Sequence, residues 1–152
     1  MAAETITAAR EAVRLAEVGY EELEPILDTD TAIEKSSFVL PSEVLERGDP
    51  RQALNNARNR LQRRISCGGQ DHFYLEGQIA MAIPEDDGSL IIHSSTQHPD
   101  EVQTLVARST KRDAKDVVVI CRRMGGAFGG KESQAALFAC IVALLSSQTG
   151  RP

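Results

Sequence analysis

An excess of positive charge is missing: 17 Lys and Arg stand against 22 Asp and Glu, a net charge of −5. A surface of that sign has no general attraction for nucleic acid or anionic membrane. Five arginines do gather in "RQALNNARNRLQRR", residues 51–64. No aromatic ring is interleaved there to stack bases, so the run reads as a solvated strand or an inter-domain surface. Long apolar runs are also lacking. "AALFACIVALL", residues 135–145, falls well short of the ~20 residues that span a bilayer and reads as a helix buried on all sides. The amino terminus "MAAETITAAREAVRLAE" has neither a basic start nor an apolar signal core. Cysteine is scarce, with Cys67, Cys121 and Cys140 far apart. They cannot ligate an iron–sulfur centre together, and they read as reduced, mostly buried thiols of a cytoplasmic protein. His72, His93 and His98 show no metal-ligand spacing, and neither an internal repeat nor a low-complexity tract is present.

What remains, in 152 residues, is material for one ordinary core, hence one domain or a piece of a larger protein. Ile6, Ala9, Val13 and Ala16 at three- and four-residue spacing predict a short amphipathic helix, and "EVGYEEL" a strand after it. From about Pro25 to Pro50 the chain breaks into Pro, Ser, Asp and Gly punctuation, the composition of a linker. Beyond it "RNRLQRRIS" predicts a polar strand. In "LEGQIAMAI" Leu75, Ile79, Met81 and Ile83 fall on one strand face, and Asp87-Gly88 turns that strand into "SLIIHSS". One sheet is thus expected within residues 58–95. Pro99 suits the first position of a helix whose apolar stripe is Val102, Leu105 and Val106. "VVVIC", residues 117–121, predicts a buried strand, and an apolar helix is expected from about Lys131 to Ser147, closed by Gly150. Arg151-Pro152 would begin a further element, which suggests an excised fragment of a longer protein.

Between that strand and helix lies "RRMGGAFGGKES", residues 122–133. Gly125 to Lys131 approaches the G-x-x-x-x-G-K order that cradles nucleotide phosphates, but Glu132 stands where Ser or Thr should hold magnesium. A carboxylate there repels phosphate. Positive φ in a tight turn accounts for two of the four glycines, not for all of them around a Phe. Backbone amides offered to a non-nucleotide anion at a helix start are the better physical reading.

The same stretch closely resembles the "RMGGGFGGKE" signature of the molybdenum hydroxylases, the xanthine dehydrogenase and aldehyde oxidase family. "GGQDHFYLEGQIA" (68–80), "SSTQHPDEVQTLVA" (94–107) and "VGYEELEPILD" (18–28) match the family in the same order, so the resemblance covers essentially the whole chain. It implies an α+β fold. Residues 1–28 would end an α/β hammerhead domain, 29–57 form a connector, and 58–152 open the molybdopterin-binding domain with its first mixed sheet and helices.

The resemblance also implies roles. Gln97 matches the glutamine that lies beside the molybdenum and hydrogen-bonds one of its oxygen ligands; on the residues alone it could equally cap the helix that follows. Gly126, Ala127, Phe128 and Gly129 match the loop whose main chain lies against the cofactor, Ala127 standing where the signature more often has Gly. Glu132 matches the acidic residue that hydrogen-bonds a nitrogen-containing substrate ring, a place commonly apolar in aldehyde oxidases, so it favours purine-type heterocycles. A carboxylate stabilised at a helix start is the alternative. Lys131 reads as surface solvation or a cofactor contact, and Gln70, His72 and Phe73 as cofactor neighbours or packing residues. Iron–sulfur and FAD groups would sit on other domains or subunits, and the general base and a substrate-binding arginine would lie outside this chain. The isolated chain is therefore expected to be inactive; an aldehyde oxidase-type enzyme and a non-catalytic binding or assembly module are the alternatives.

Overall fold

A computed structural model describes residues 1–152, which divide into two compact units, residues 3–67 and 68–152. The first unit holds three short helices: α1 (Ile6–Arg14), α2 (Thr29–Glu34) and α3 (Pro50–Asn56). Each begins on a side chain that accepts an amide otherwise left without a partner: Thr5 takes the Ala8 amide, Asp28 that of Thr31 and Asp49 that of Gln52. None of the three buries a residue. Local capping, not packing, defines them.

The second unit is a two-layer α+β sandwich. Strands β1 (Ala80–Pro84) and β2 (Leu90–Ser94) pair antiparallel, and the turn between them closes where Gly88 adopts a φ of +85° and the Asp87 side chain accepts the Ser89 amide. Helix α4 (Pro99–Thr110) then crosses back to β3 (Val117–Ile120), which lies parallel to β2, so the sheet is mixed with order β1-β2-β3. Helix α4 has Pro99 in its first turn and Lys111 in the left-handed conformation at its end. Helix α5 (Gln134–Thr149) follows the glycine loop and is closed by Gly150 at a φ of +65°.

Both long helices cover the same sheet face. Ala82, Leu90, Ile92 and Val117 meet Val102, Val106, Ala136, Ala139 and Ala143 in one core. Each of the fully buried Leu, Ile and Val side chains contributes about 1.5–3 kcal/mol. Alanines at three- and four-residue spacing let α5 lie close against the sheet.

Several expectations change here. "EVGYEEL" and "RNRLQRRIS" form no strand: both stretches are exposed chain, without a neighbouring strand to take up their backbone groups. The linker instead contains α2 and α3, whose signals were Asp28 ahead of Thr29 and Asp49 ahead of Pro50. Strand β1 starts at Ala80, and its inward face is Ala80 and Ala82, opposite to the expected set. Leu75 is 100% exposed, Ile79 61% and Met81 45%. In β3 only Val117 is fully buried, and Val118 is 49% exposed, because helices cover one side of the sheet. Likewise α5 is not buried on all sides: Leu137, Phe138, Ile141 and Leu144 face outward. Of the cysteines, Cys67 is exposed and Cys121 and Cys140 are half-buried, all three free.

Candidate cofactor site

From Phe73, where φ is +45°, to Ala80 the chain runs along the glycine loop, and its burial alternates: Tyr74, Glu76, Gln78 and Ala80 are half-buried, while Phe73, Leu75, Gly77 and Ile79 are exposed. That two-residue period aims three polar side chains at the loop. Glu76 donates its amide to the Gly125 carbonyl at 3.1 Å and accepts the Gly125 amide on Oε2 at 3.1 Å. Gln78 Nε2 donates to the Gly130 carbonyl at 2.8 Å and to the Tyr74 hydroxyl at 3.0 Å. The loop is thereby gripped near both ends.

The four glycines divide by purpose. Gly126 and Gly129 take φ of +92° and +93°, the left-handed region that side chains avoid. Gly125 and Gly130 are required by proximity: a Cβ on Gly125 would lie 2.5 Å from the Glu76 Cβ, and one on Gly130 would lie 2.5 Å from the Tyr74 ring and 3.0 Å from that of His72. Phe128, between them, also has a positive φ of 55° and is 75% exposed. A non-glycine residue there stores backbone strain, held in place by the surrounding loop.

Lys131 corrects the expectation of a solvated or cofactor-directed side chain. It is completely buried. Its ammonium donates to Glu76 Oε2 at 2.8 Å and to Ser95 Oγ at 2.9 Å, and lies 4.9 Å from the centre of the Tyr74 ring. The Ser95 hydroxyl in turn donates to the same Glu76 oxygen. These contacts, Lys131 first, then Ser95 and the Gly125 amide, hold the Glu76 carboxyl at a pKa of about 2. A buried lysine ties up the one cation that a nucleotide loop would offer to phosphate, which removes that reading on geometry as Glu132 does on chemistry. The loop amides are also largely engaged within the chain. Gly125 serves Glu76, Gly129 and Lys131 serve Gln97, and Gly130 serves the Ala127 carbonyl. The amides of Gly126, Ala127 and Phe128 carry no hydrogen bond within the chain.

Gln97 does not cap α4; His98 occupies the cap position. Its Oε1 accepts the Gly129 amide at 3.0 Å and the Lys131 amide at 3.4 Å, while its own amide donates to the Lys131 carbonyl at 2.9 Å. With its oxygen committed to two donors, its NH2 is the end left to donate elsewhere. Ala127 is buried, and Gly126 and Gly129 are half-buried. The structure therefore brings Gln97 and the 125–131 loop together. Glu132 is exposed, precedes the first residue of α5 by two positions and has no partner within the chain. The helix starts later than expected because Gly129 is left-handed and the Lys131 carbonyl is taken by Gln97 and Thr96.

Of the other stretches, His72 sets its ring against Gly129 and Gly130 as packing, Phe73 is exposed, and Gln70 reaches only the neighbouring Gly69 carbonyl. Reading composition missed Tyr74, Glu76, Gln78 and Ser95. The signal was the spacing of Tyr74, Glu76 and Gln78 at every second position, hidden by the more hydrophobic alternate set.

Comparisons with known proteins agree on one family. The molybdopterin cofactor-binding domain matches residues 34–152. The chain is 42% identical to xanthine dehydrogenase of Emericella nidulans over 99% of its length, covering 11% of that protein. It is 37% identical to aldehyde oxidase 4 of Cavia porcellus over 100% of its length, covering 12% of that protein. A crystal structure of quinoline 2-oxidoreductase from Pseudomonas putida 86 superposes with a TM-score of 0.77 at 27% identity, covering 98% of this chain and 20% of that one. The chain thus spans only about an eighth of the curated relatives it matches.

Proposed function

The chain belongs to the molybdopterin cofactor-binding domain family, and on that premise we propose that it forms the cofactor-facing loop of a molybdenum hydroxylase that oxidises purine-type heterocycles. The observation that carries this is the Gln97 amide. Its oxygen is pinned by the amides of Gly129 and Lys131, so its NH2 is presented as a fixed donor beside Phe128 and Gly129. A neutral donor held without rotational freedom suits an oxygen ligand of molybdenum, and the unpartnered amides of Gly126, Ala127 and Phe128 suit the same polarity. The residues present fit the group. When bound, molybdenum–molybdopterin supplies the two-electron redox centre. The chain's part is to hold that centre by Gln97 and the loop backbone.

Glu132 is the substrate-binding residue in this reading. Its carboxylate is exposed, uncommitted and next to the loop, which supports a hydrogen bond to a ring nitrogen. Such a bond to a charged group is worth about 1.5–3 kcal/mol. An aldehyde oxidase-type activity is the second reading, since relatives of both names match with similar identity.

Residues 1–28 as the end of a hammerhead domain, 29–57 as a connector and 58–152 as the start of the cofactor domain belong to the same proposal. The family match begins at residue 34 and the self-contained core at residue 68, on either side of residue 58. The remaining half of the pocket, the general base, the substrate-binding arginine, and the iron–sulfur and FAD groups lie on other segments or subunits, and the cytoplasm is the proposed location. The 152-residue chain alone does not turn over substrate.

The test is substrate-dependent dye reduction by the molybdenum-loaded enzyme containing this chain. Glu132→Val should lower kcat/KM for xanthine by about 10- to 150-fold, the equivalent of that hydrogen bond, with little change for an aldehyde. An equal loss on both substrates would overturn the purine assignment. Xanthine turnover by the isolated chain would sink the claim that the rest of the pocket is needed.

A further inference from the structure

The side chains of Lys131 and Glu76 make no hydrogen bond to the Gln97 side chain, yet they hold the loop whose Gly129 and Lys131 amides do. One carboxylate oxygen of Glu76 receives the amide of Gly125, the hydroxyl of Ser95 and the ammonium of Lys131. Gly125 begins the loop and Lys131 ends it, so a single oxygen, on a residue 49 positions before the one and 55 before the other, ties the two ends together. With the Lys131 side chain anchored beneath, its main chain is turned so that its carbonyl takes the Gln97 backbone N–H and the Thr96 hydroxyl, while its own N–H joins that of Gly129 at Gln97 Oε1. Reversing the Gln97 amide would set NH2 against two N–H groups, leaving donors facing donors, an arrangement costing about 1–3 kcal/mol per unsatisfied group.

We propose that Glu76 and Lys131 form a positioning pair, with Ser95, whose task is to orient the Gln97 amide toward the cofactor. The proposal rests on the cofactor reading of Gln97. Lys131 is fully buried and the Glu76 side chain 39% exposed. A pair kept only for stability is replaceable: exchanging both members of a buried ion pair for apolar residues of similar volume is often neutral, whereas removing the partner of a buried charge such as Lys131 is destabilising. A positioning pair is not replaceable in that way, because the neutral substitutes leave the loop ends free to move.

The test uses the molybdenum-loaded enzyme containing this chain and four variants: Glu76→Gln, Lys131→Met, the two combined, and Gln97→Ala as reference. Thermal midpoint, kcat, KM, retained pterin and the electron paramagnetic resonance spectrum of the molybdenum are measured for each. Each single change at the pair should lower the midpoint. The combined variant should recover most of it, yet keep kcat about 10- to 100-fold low, the usual effect of losing a supporting contact behind a cofactor ligand. Its KM should stay near that of the parent, and its spectrum should change in the same sense as that of Gln97→Ala. Recovery of both midpoint and kcat in the combined variant, with Gln97→Ala impaired, overturns the positioning role alone. A Gln97→Ala enzyme with normal kcat, pterin and spectrum overturns the cofactor reading, and this proposal with it. Should the combined variant not fold, Ser95→Ala decides. It removes two hydrogen bonds to charged groups, one from the Lys131 ammonium and one to the Glu76 carboxylate, and should lower kcat by about 10-fold or more; a normal kcat and spectrum there overturn the positioning role.

Discussion

Residues 3–67 contain three capped helices and no buried side chain, whereas residues 68–152 contain every buried hydrophobic residue of the chain. Both regions have apolar residues to bury: Leu15, Leu23, Leu27, Leu45 and Ile65 in the first are as hydrophobic as Leu90, Ile92 and Val117 in the second, but all are exposed. What differs is periodicity joined to partners. In the second region strand and helix patterns adjoin and complete one another's cover. In the first, helices of six to nine residues are stabilised by their own ends and by exposed ion pairs such as Asp30–Arg64 and bury no side chain, which makes them marginal by length.

That contrast can be broken by mutation. The largest effect is expected at Ile92, fully buried between sheet and helices: Ile92→Ala should destabilise the second region by about 2–5 kcal/mol in urea unfolding. Leu45→Ala in the first region should change stability by less than about 0.5 kcal/mol. Comparable losses at both sites would mean that the first region has a core of its own.

Glycines sharpen the contrast at smaller scale. Gly130→Ala places a methyl 2.5 Å from the Tyr74 ring. It should cost about 1–3 kcal/mol as overpacking and loosen the amide of Gly129 toward solvent exchange. Gly19→Ala meets nothing within 4 Å and should be neutral or slightly stabilising by up to about 1 kcal/mol.

The last effect is one of pH, through Glu76. Its folded pKa, about 2, lies below the 4.5 of a free glutamate, so the unfolded chain binds the proton first. The stability it contributes is complete above pH 4.5 and fades as pH falls toward 2. Asp87, whose carboxyl is also held low by Ser89, titrates in the same direction. Glu76→Gln should therefore flatten the acid limb of the stability curve while leaving a remnant. An unchanged acid limb would show that Glu76 is not engaged as described.

Legibility followed the range of the interactions. The hairpin at Asp87-Gly88, the helix start at Pro99, the stripe of Val102 and Val106 and the closing Gly150 are written within a few residues, and the structure has each of them where those residues place it. Helices α2 and α3 are equally local, yet an Asp cap beside Pro, Ser and Gly has the same composition as loop punctuation. Strand β1 was assigned to the wrong face because Leu75, Ile79 and Met81 outweigh Ala80 and Ala82 in hydrophobicity. Small residues were in fact needed there to admit α5.

The sequence by itself determined the family, through motifs whose order survives without coordinates, and the boundaries of the elements set by turn and cap chemistry. Only the tertiary structure decided which glycines turn the chain and which make room, and that Lys131 is buried on Glu76 instead of solvated. Those outcomes depend on residues 55 positions apart meeting at one oxygen. No local pattern of charge or hydrophobicity encodes such a meeting, because it is fixed by the packing of the 72–80 segment across the loop.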